Sequence, residues 1–114
     1  MTTGGEAFEV DRLERERAAG GQSYLEFLRV DALSAGLYVL EPGQPDPQSP
    51  HAEDGVYVVV VGRAVLTVGE GETAAEHPVG PGSVVYVPRT IPHRFHDVSE
   101  RLSVLVVFAP AETG

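Results

Sequence analysis

The stretch Ser49-Pro50-His51-Ala52-Glu53-Asp54-Gly55-Val56-Tyr57-Val58-Val59-Val60-Val61-Gly62 decides how this chain is read. It sets an imidazole and two carboxylates ahead of a run, Val56 to Val61, that is apolar at both parities, and it closes on a glycine. A run apolar at both parities predicts a strand buried on both faces. A second stretch, Gly82-Ser83-Val84-Val85-Tyr86-Val87-Pro88-Arg89-Thr90-Ile91-Pro92-His93-Arg94-Phe95-His96-Asp97, stops a β-branched run at a proline and then supplies further imidazoles. Together they predict a small all-β domain with a ligand or metal site where the two stretches meet.

Working outward, Gly62-Arg63 turns into Ala64 to Val68, and Gly69-Glu70-Gly71-Glu72 reads as a hairpin turn. The polar run Thr73 to Val79 predicts an edge strand. Gly80-Pro81-Gly82 turns into Ser83 to Val87, and Leu102 to Phe108, again nearly continuous in apolar residues, is the last strand. On the N-terminal side, Tyr24 to Val30 and Leu37 to Leu40 are aromatic and β-branched. Four prolines in the nine residues Pro42 to Pro50 fix φ and remove amide donors, so they predict a stiff loop. Farther back, Asp11-Arg12-Leu13-Glu14 fits a capping box for a short surface helix, Arg12 to Ala19, ended by Gly20-Gly21. Residues 1 to 5 are expected to fray. Eight or nine short strands punctuated by Gly and Pro predict a sandwich or a closed barrel, which hides strand edges.

A chain of 114 residues, 42% apolar and 22% charged, makes one soluble domain. The expected division is an N-terminal segment 1–21 with the helix, a β domain 22–110 and a tail 111–114. No apolar run approaches the roughly 18 residues of a membrane helix, and the polar N-terminus does not read as a signal peptide, so a cytoplasmic location is the default expectation. The absence of cysteine excludes disulfides, thiolate metal sites and a Cys nucleophile. A net charge of −9 argues against nucleic acid as a partner, and all eight basic residues are arginine.

The two quoted stretches resemble the motifs of the cupins, small jelly-roll β-barrels. In the second motif, Gly82, Pro88 and His93 match, while Thr90 stands at a usual glycine and Asp97 at a usual asparagine. In the first, counted back from Gly62, His51 matches, but Ser49 replaces the first histidine and Gly55 the glutamate. The likeness runs from about Tyr24 to Pro110. Its wording around Pro50 to Asp54 and His93 to Asp97 also resembles small bacterial single-domain cupins. The resemblance implies an RmlC-like jelly-roll fold with a short helix in front. It also implies a divalent metal, Fe, Mn, Zn or Ni, at His51 and His93, with Glu53 in the role of the missing glutamate.

Strand alternation turns Glu53 and Tyr57 inward with His51, and Asp54 outward. The same rule turns Phe95 and Asp97 inward with His93, and Arg94 and His96 outward, with His96 a reserve ligand if a bulge reverses it. Tyr38, Tyr57, Phe95 and His96 are the expected lining of a ligand pocket, and His77 has no assigned role. Three functional classes stay open at this point. One is a metal-dependent enzyme of oxygenase or isomerase type acting on a small organic molecule. Another is a non-catalytic ligand-binding cupin that has lost its metal, which the vacancies at Ser49 and Gly55 favour. The third is a structural role in which the doubly apolar strands build a homodimer.

Overall fold

The computed structural model describes residues 4–113, so part of the N-terminal stretch expected to fray, and the last residue of the tail, lie outside the described residues. Among the described residues one α-helix, α1 (Val10–Gly20), precedes eight strands: β1 (Tyr24–Val30), β2 (Leu33–Leu40), β3 (Asp54–Val61), β4 (Ala64–Val68), β5 (Ala75–Val79), β6 (Val84–Val87), β7 (His93–His96) and β8 (Leu102–Ala109). They form two antiparallel sheets, a five-stranded one in the order β1-β2-β8-β3-β6 and a three-stranded one in the order β5-β4-β7. The architecture is thus the two-sheet form of a jelly roll rather than one continuous barrel.

The core lies between the sheets, where Leu40, Tyr57, Leu66, Phe95, Leu102 and Val104 are almost wholly withdrawn from water. Gly62 lets the chain pass from β3 in one sheet to β4 in the other. Its φ is +93°, and a Cβ there would fall 2.2 Å from the carbonyl oxygen of Arg101. As expected, β5 is an edge strand.

Two expectations are corrected. The helix starts at Val10 after Glu9, with no side-chain cap, so the capping box at Asp11 does not form. Glu14 instead takes both ends of the Arg17 guanidinium at 2.7 and 2.9 Å, a pairing that competes with reaching back to a backbone amide. The predicted C-terminal stop is present: Gly21 is left-handed and its N–H returns to the carbonyls of Arg17 and Ala18. The helix is also more than a solvated surface element, because Leu13 is buried against Leu37 and Val39 on the outer face of β2.

The second correction concerns β3. Gly55, Tyr57 and Val59 face the core, but Val56 on the other face is 37% exposed. α1 covers only the β1–β2 end of this outer face. At the β3–β6 end Val56 pairs with Tyr86 and Val58 with Val84, and Val84 and Tyr86 are 65% and 59% exposed. The apolar residues at both parities therefore mark one core face and one uncovered apolar face.

Candidate functional site

The segment entering β3 and the turn before β7 meet at one end of the sandwich, fastened by the Thr90 N–H donating to the His51 carbonyl at 2.7 Å. Strand alternation then aims Glu53 and Tyr57 inward from one stretch, and His93 and Phe95 inward from the other, all four buried.

The proline loop closes this end because Asp46, flanked by Pro45 and Pro47, is pulled inside. Its carboxylate accepts from the Tyr38 hydroxyl at 2.5 Å, the Phe95 N–H at 2.8 Å and the Gln48 side-chain amide at 2.7 Å. Three donors satisfy a buried carboxylate, which would otherwise be costly to desolvate. The bond to Gln48 also orients its amide, with the carbonyl Oε1 facing the imidazoles. That oxygen lies 3.0 Å from the Tyr57 hydroxyl, 3.1 Å from His93 Nε2 and 3.4 Å from His51 Nε2. The Tyr57 hydroxyl is also 2.9 Å from His93 Nε2.

The far side of each ring fixes its tautomer. His93 Nδ1–H donates to the Ile91 carbonyl at 3.1 Å, and His51 Nδ1–H to the Glu112 carboxylate at 2.7 Å. Both Nε2 atoms are then lone-pair acceptors, on rings whose centroids are 5.2 Å apart. His93 Nε2 and the Gln48 amide oxygen share the single proton of Tyr57, and His51 Nε2 is left without a donor among the described residues. Burial keeps both histidines neutral by holding their pKa values below the ordinary one.

A second cluster lies on the other side of His51. Glu53 is buried and accepts from the Thr113 hydroxyl at 2.8 Å and the Thr113 N–H at 3.3 Å. One ligand atom each of His51, Glu53 and Glu112 lies within 4.8 Å of the others. Burial, and then the neighbouring Glu53 charge, push the Glu112 carboxyl above the usual range.

Of the residues singled out from the sequence, His51 and Glu53 therefore share a cluster with Glu112, and His93 meets His51 through Gln48 and Tyr57 rather than through Glu53. Tyr38 lies under the proline loop with its hydroxyl on Asp46. Phe95 packs edge-on against Tyr57 in the core, with centroids 6.0 Å apart. His96 is turned away from the imidazole pair and bonds to Thr67 Oγ1 at 2.7 Å. Asp97, expected inward by alternation, is exposed instead, because its φ of +53° breaks the strand pattern after β7. Asp54 faces outward as read and accepts from Tyr86 and the Arg89 N–H. His77 is exposed on the edge strand.

Sequence reasoning missed Asp46, Gln48 and Glu112. A lone acid framed by prolines was a usable signal for Asp46. Nothing local marks Gln48, and Glu112 lies in a stretch that reads as tail.

Residues 36–108 match the Cupin domain family. An uncharacterized protein of Streptomyces coelicolor is 54% identical over 107 residues, 94% of this chain and 98% of that protein. Among solved structures, TT1209 of Thermus thermophilus has 26% identity and a TM-score of 0.72, over 94% of this chain and 99% of the other. An RmlC-like cupin family protein with a double-stranded beta-helix fold, from Methanocaldococcus jannaschii, has 23% identity and a TM-score of 0.66, over 76% and 78% of the two chains. The matched span contains both stretches that meet at the imidazole pair, and the chain belongs to the cupin family.

Proposed function

We propose that this cupin binds a divalent metal ion at the paired imidazoles and presents it to a small organic molecule. The observation that carries this reading is the convergence of two Nε2 lone pairs on one amide oxygen, with each Nδ1–H already committed. Metal-ligating histidines have this pattern, the far N–H being held by a carboxylate or a carbonyl, as Glu112 holds His51 and Ile91 holds His93. The donor set fits. Two imidazoles with oxygen donors suit iron, manganese, zinc or nickel, and burial holds the imidazoles in the neutral form that ligation needs. Such an ion supplies a Lewis acid with free positions for a small molecule. His51 and His93 would hold it, Gln48 offers a third donor, and the Tyr57 hydroxyl must release His93 Nε2 as the ion enters. Oxygenase or isomerase chemistry is the enzymatic extension of this reading.

The Glu53–Glu112 side of His51 supports a second reading, in which a harder cation takes two carboxylates and one imidazole. Metal content of the purified protein, before and after Fe, Mn, Zn or Ni is added, tests both. The first reading expects near-stoichiometric uptake that His51→Ala and His93→Ala each abolish and Glu53→Gln leaves in place. The second expects His93→Ala to be silent and Glu53→Gln to abolish uptake. Substoichiometric metal with no gain on addition would sink the metalloprotein and leave a ligand-binding cupin.

We further propose that the protein is a homodimer, joined through the uncovered face that carries Val56, Val84 and Tyr86.

A further inference from the structure

Four heteroatoms meet on the Nε2 side of the imidazole pair. Tyr57 Oη lies 2.9 Å from His93 Nε2 and 3.0 Å from Gln48 Oε1, and that Oε1 lies 3.1 Å from His93 Nε2 and 3.4 Å from His51 Nε2. With both Nδ1 atoms carrying the ring protons, Oε1 faces two Nε2 lone pairs with no hydrogen between them. Acceptors set against acceptors repel. Asp46 stops the amide from turning over to relieve this, because it holds the Gln48 NH2 at 2.7 Å. Donors that share one ion through bonds of about 2.1 Å lie about 3.0–3.4 Å apart, which is the spacing within this group.

What the group lacks is charge. Two imidazoles and an amide are neutral, and a dication buried among neutral donors is costly without an anion beside it. The place where the motif usually has its glutamate is Gly55, and a Cβ there would lie 3.1 Å from the Tyr57 ring. The carboxylates nearby are placed otherwise. Asp46 is spent on Tyr38, Gln48 and the Phe95 N–H. Glu112, with Glu53 beside it, meets His51 at Nδ1, on the far side of the ring. Among the described residues, Tyr57 is the one acid whose oxygen stands within hydrogen-bond distance of an Nε2 in this group.

We propose that Tyr57 is a metal ligand: its oxygen, as a phenolate, brings the negative charge that the motif's glutamate would have brought, and joins His51, His93 and Gln48 in holding one ion. The assignment rests on the metal reading above and adds to it a residue that the motif does not supply. The hydroxyl proton passes to solvent as the ion enters. The charge of the ion offsets the burial that otherwise keeps this hydroxyl protonated.

The test adds one equivalent of copper(II) to the full chain and records the visible spectrum. A phenolate bound to copper(II) gives an intense charge-transfer band that copper held by imidazoles and amides alone lacks. The expected result is that band in the parent, with the resonance Raman ring modes of a tyrosinate, and the loss of both in Tyr57→Phe. Calorimetry with zinc is expected to show Tyr57→Phe binding at least about tenfold more weakly, since even an outer partner of a metal site costs that much. Circular dichroism checks that the variant is folded. Should it fail to fold, retention of the band in Tyr24→Phe, Tyr38→Phe and Tyr86→Phe assigns it to the fourth tyrosine of the chain. Copper uptake that needs His51 and His93 but gives no such band, or a band that survives in Tyr57→Phe, overturns this assignment and leaves the metal reading standing. No uptake at all overturns both.

Discussion

Gly36 and Gly55 both leave interior space to a neighbouring tyrosine. At Gly36 the space is filled by the Tyr24 ring, and any side chain must displace it. Gly36→Ala is therefore expected to destabilise the protein by about 1–3 kcal/mol, the usual cost of overpacking. Urea unfolding of Gly36→Ala beside the parent checks this, and an unchanged midpoint would show that Tyr24 moves freely. Gly55 takes the place where the cupin motif usually has a glutamate. A Cβ there would lie 3.1 Å from the Tyr57 ring and 3.5 Å from Phe108, so a carboxylate can enter only if Tyr57 gives way. Tyr57 is the residue whose hydroxyl bridges His93 and Gln48. The missing glutamate and the tyrosine-bridged imidazoles are thus parts of one arrangement, in which the motif's carboxylate has yielded its space to an aromatic ring.

At the scale of elements, α1 and the β3–β6 end of the larger sheet solve the same problem in different ways. An antiparallel sheet packed on one face must cover or expose the other. α1 covers the β1–β2 end with Leu13 over Leu37 and Val39. At the other end Val84 and Tyr86 stand open, with Val56 beside them. A second copy laid on this face would bury apolar residues that water now meets, as homodimer interfaces do. Light scattering at micromolar concentration is expected to give a dimer mass for the parent and a monomer mass for Val84→Glu, whose charge would be desolvated at the contact. A monomeric parent ends the homodimer proposal.

For the whole molecule, tyrosines report how the domain closes. Burial pushes the Tyr24 and Tyr57 hydroxyls well above the usual range, and burial together with the bond to Asp46 does the same to Tyr38. The exposed Tyr86 is raised by its bond to Asp54. A group whose folded pKa lies above its unfolded value contributes stability that is complete below the unfolded value, 10.0 here, and is lost as pH climbs toward the folded one. Stability is therefore expected to fall steeply above pH 10, with three tyrosines ionising as the sandwich opens and Tyr86 ionising before them. Tyrosinate absorbance followed alongside circular dichroism checks this. Ionisation of all four tyrosines ahead of the loss of β structure would contradict the enclosed placement of three.

The sequence by itself determined the class of fold and most of its punctuation. Strand-forming runs, the Gly62 and Gly82 turns and the Pro88 stop are local properties, set by side-chain branching and by backbone angles few residues can adopt. The inward placement of Glu53, Tyr57, His93 and Phe95 followed too, because alternation along a strand needs no tertiary knowledge. Alternation failed at Asp97, where a left-handed backbone ends the strand. It also could not tell a two-faced core strand from one with an apolar face left open, as at Val56. Only the tertiary structure decided the company that each imidazole keeps. Gln48 reaches His93 across 45 positions, and Glu112 closes on His51 from beyond the last strand. Such contacts depend on where a proline loop and a chain end fall in space, and no local periodicity encodes that. His51, Glu53 and Asp54 read as one cluster in the chain; in the folded protein Asp54 faces Tyr86 and Arg89, and His51 stands between a carboxylate pair and a second histidine.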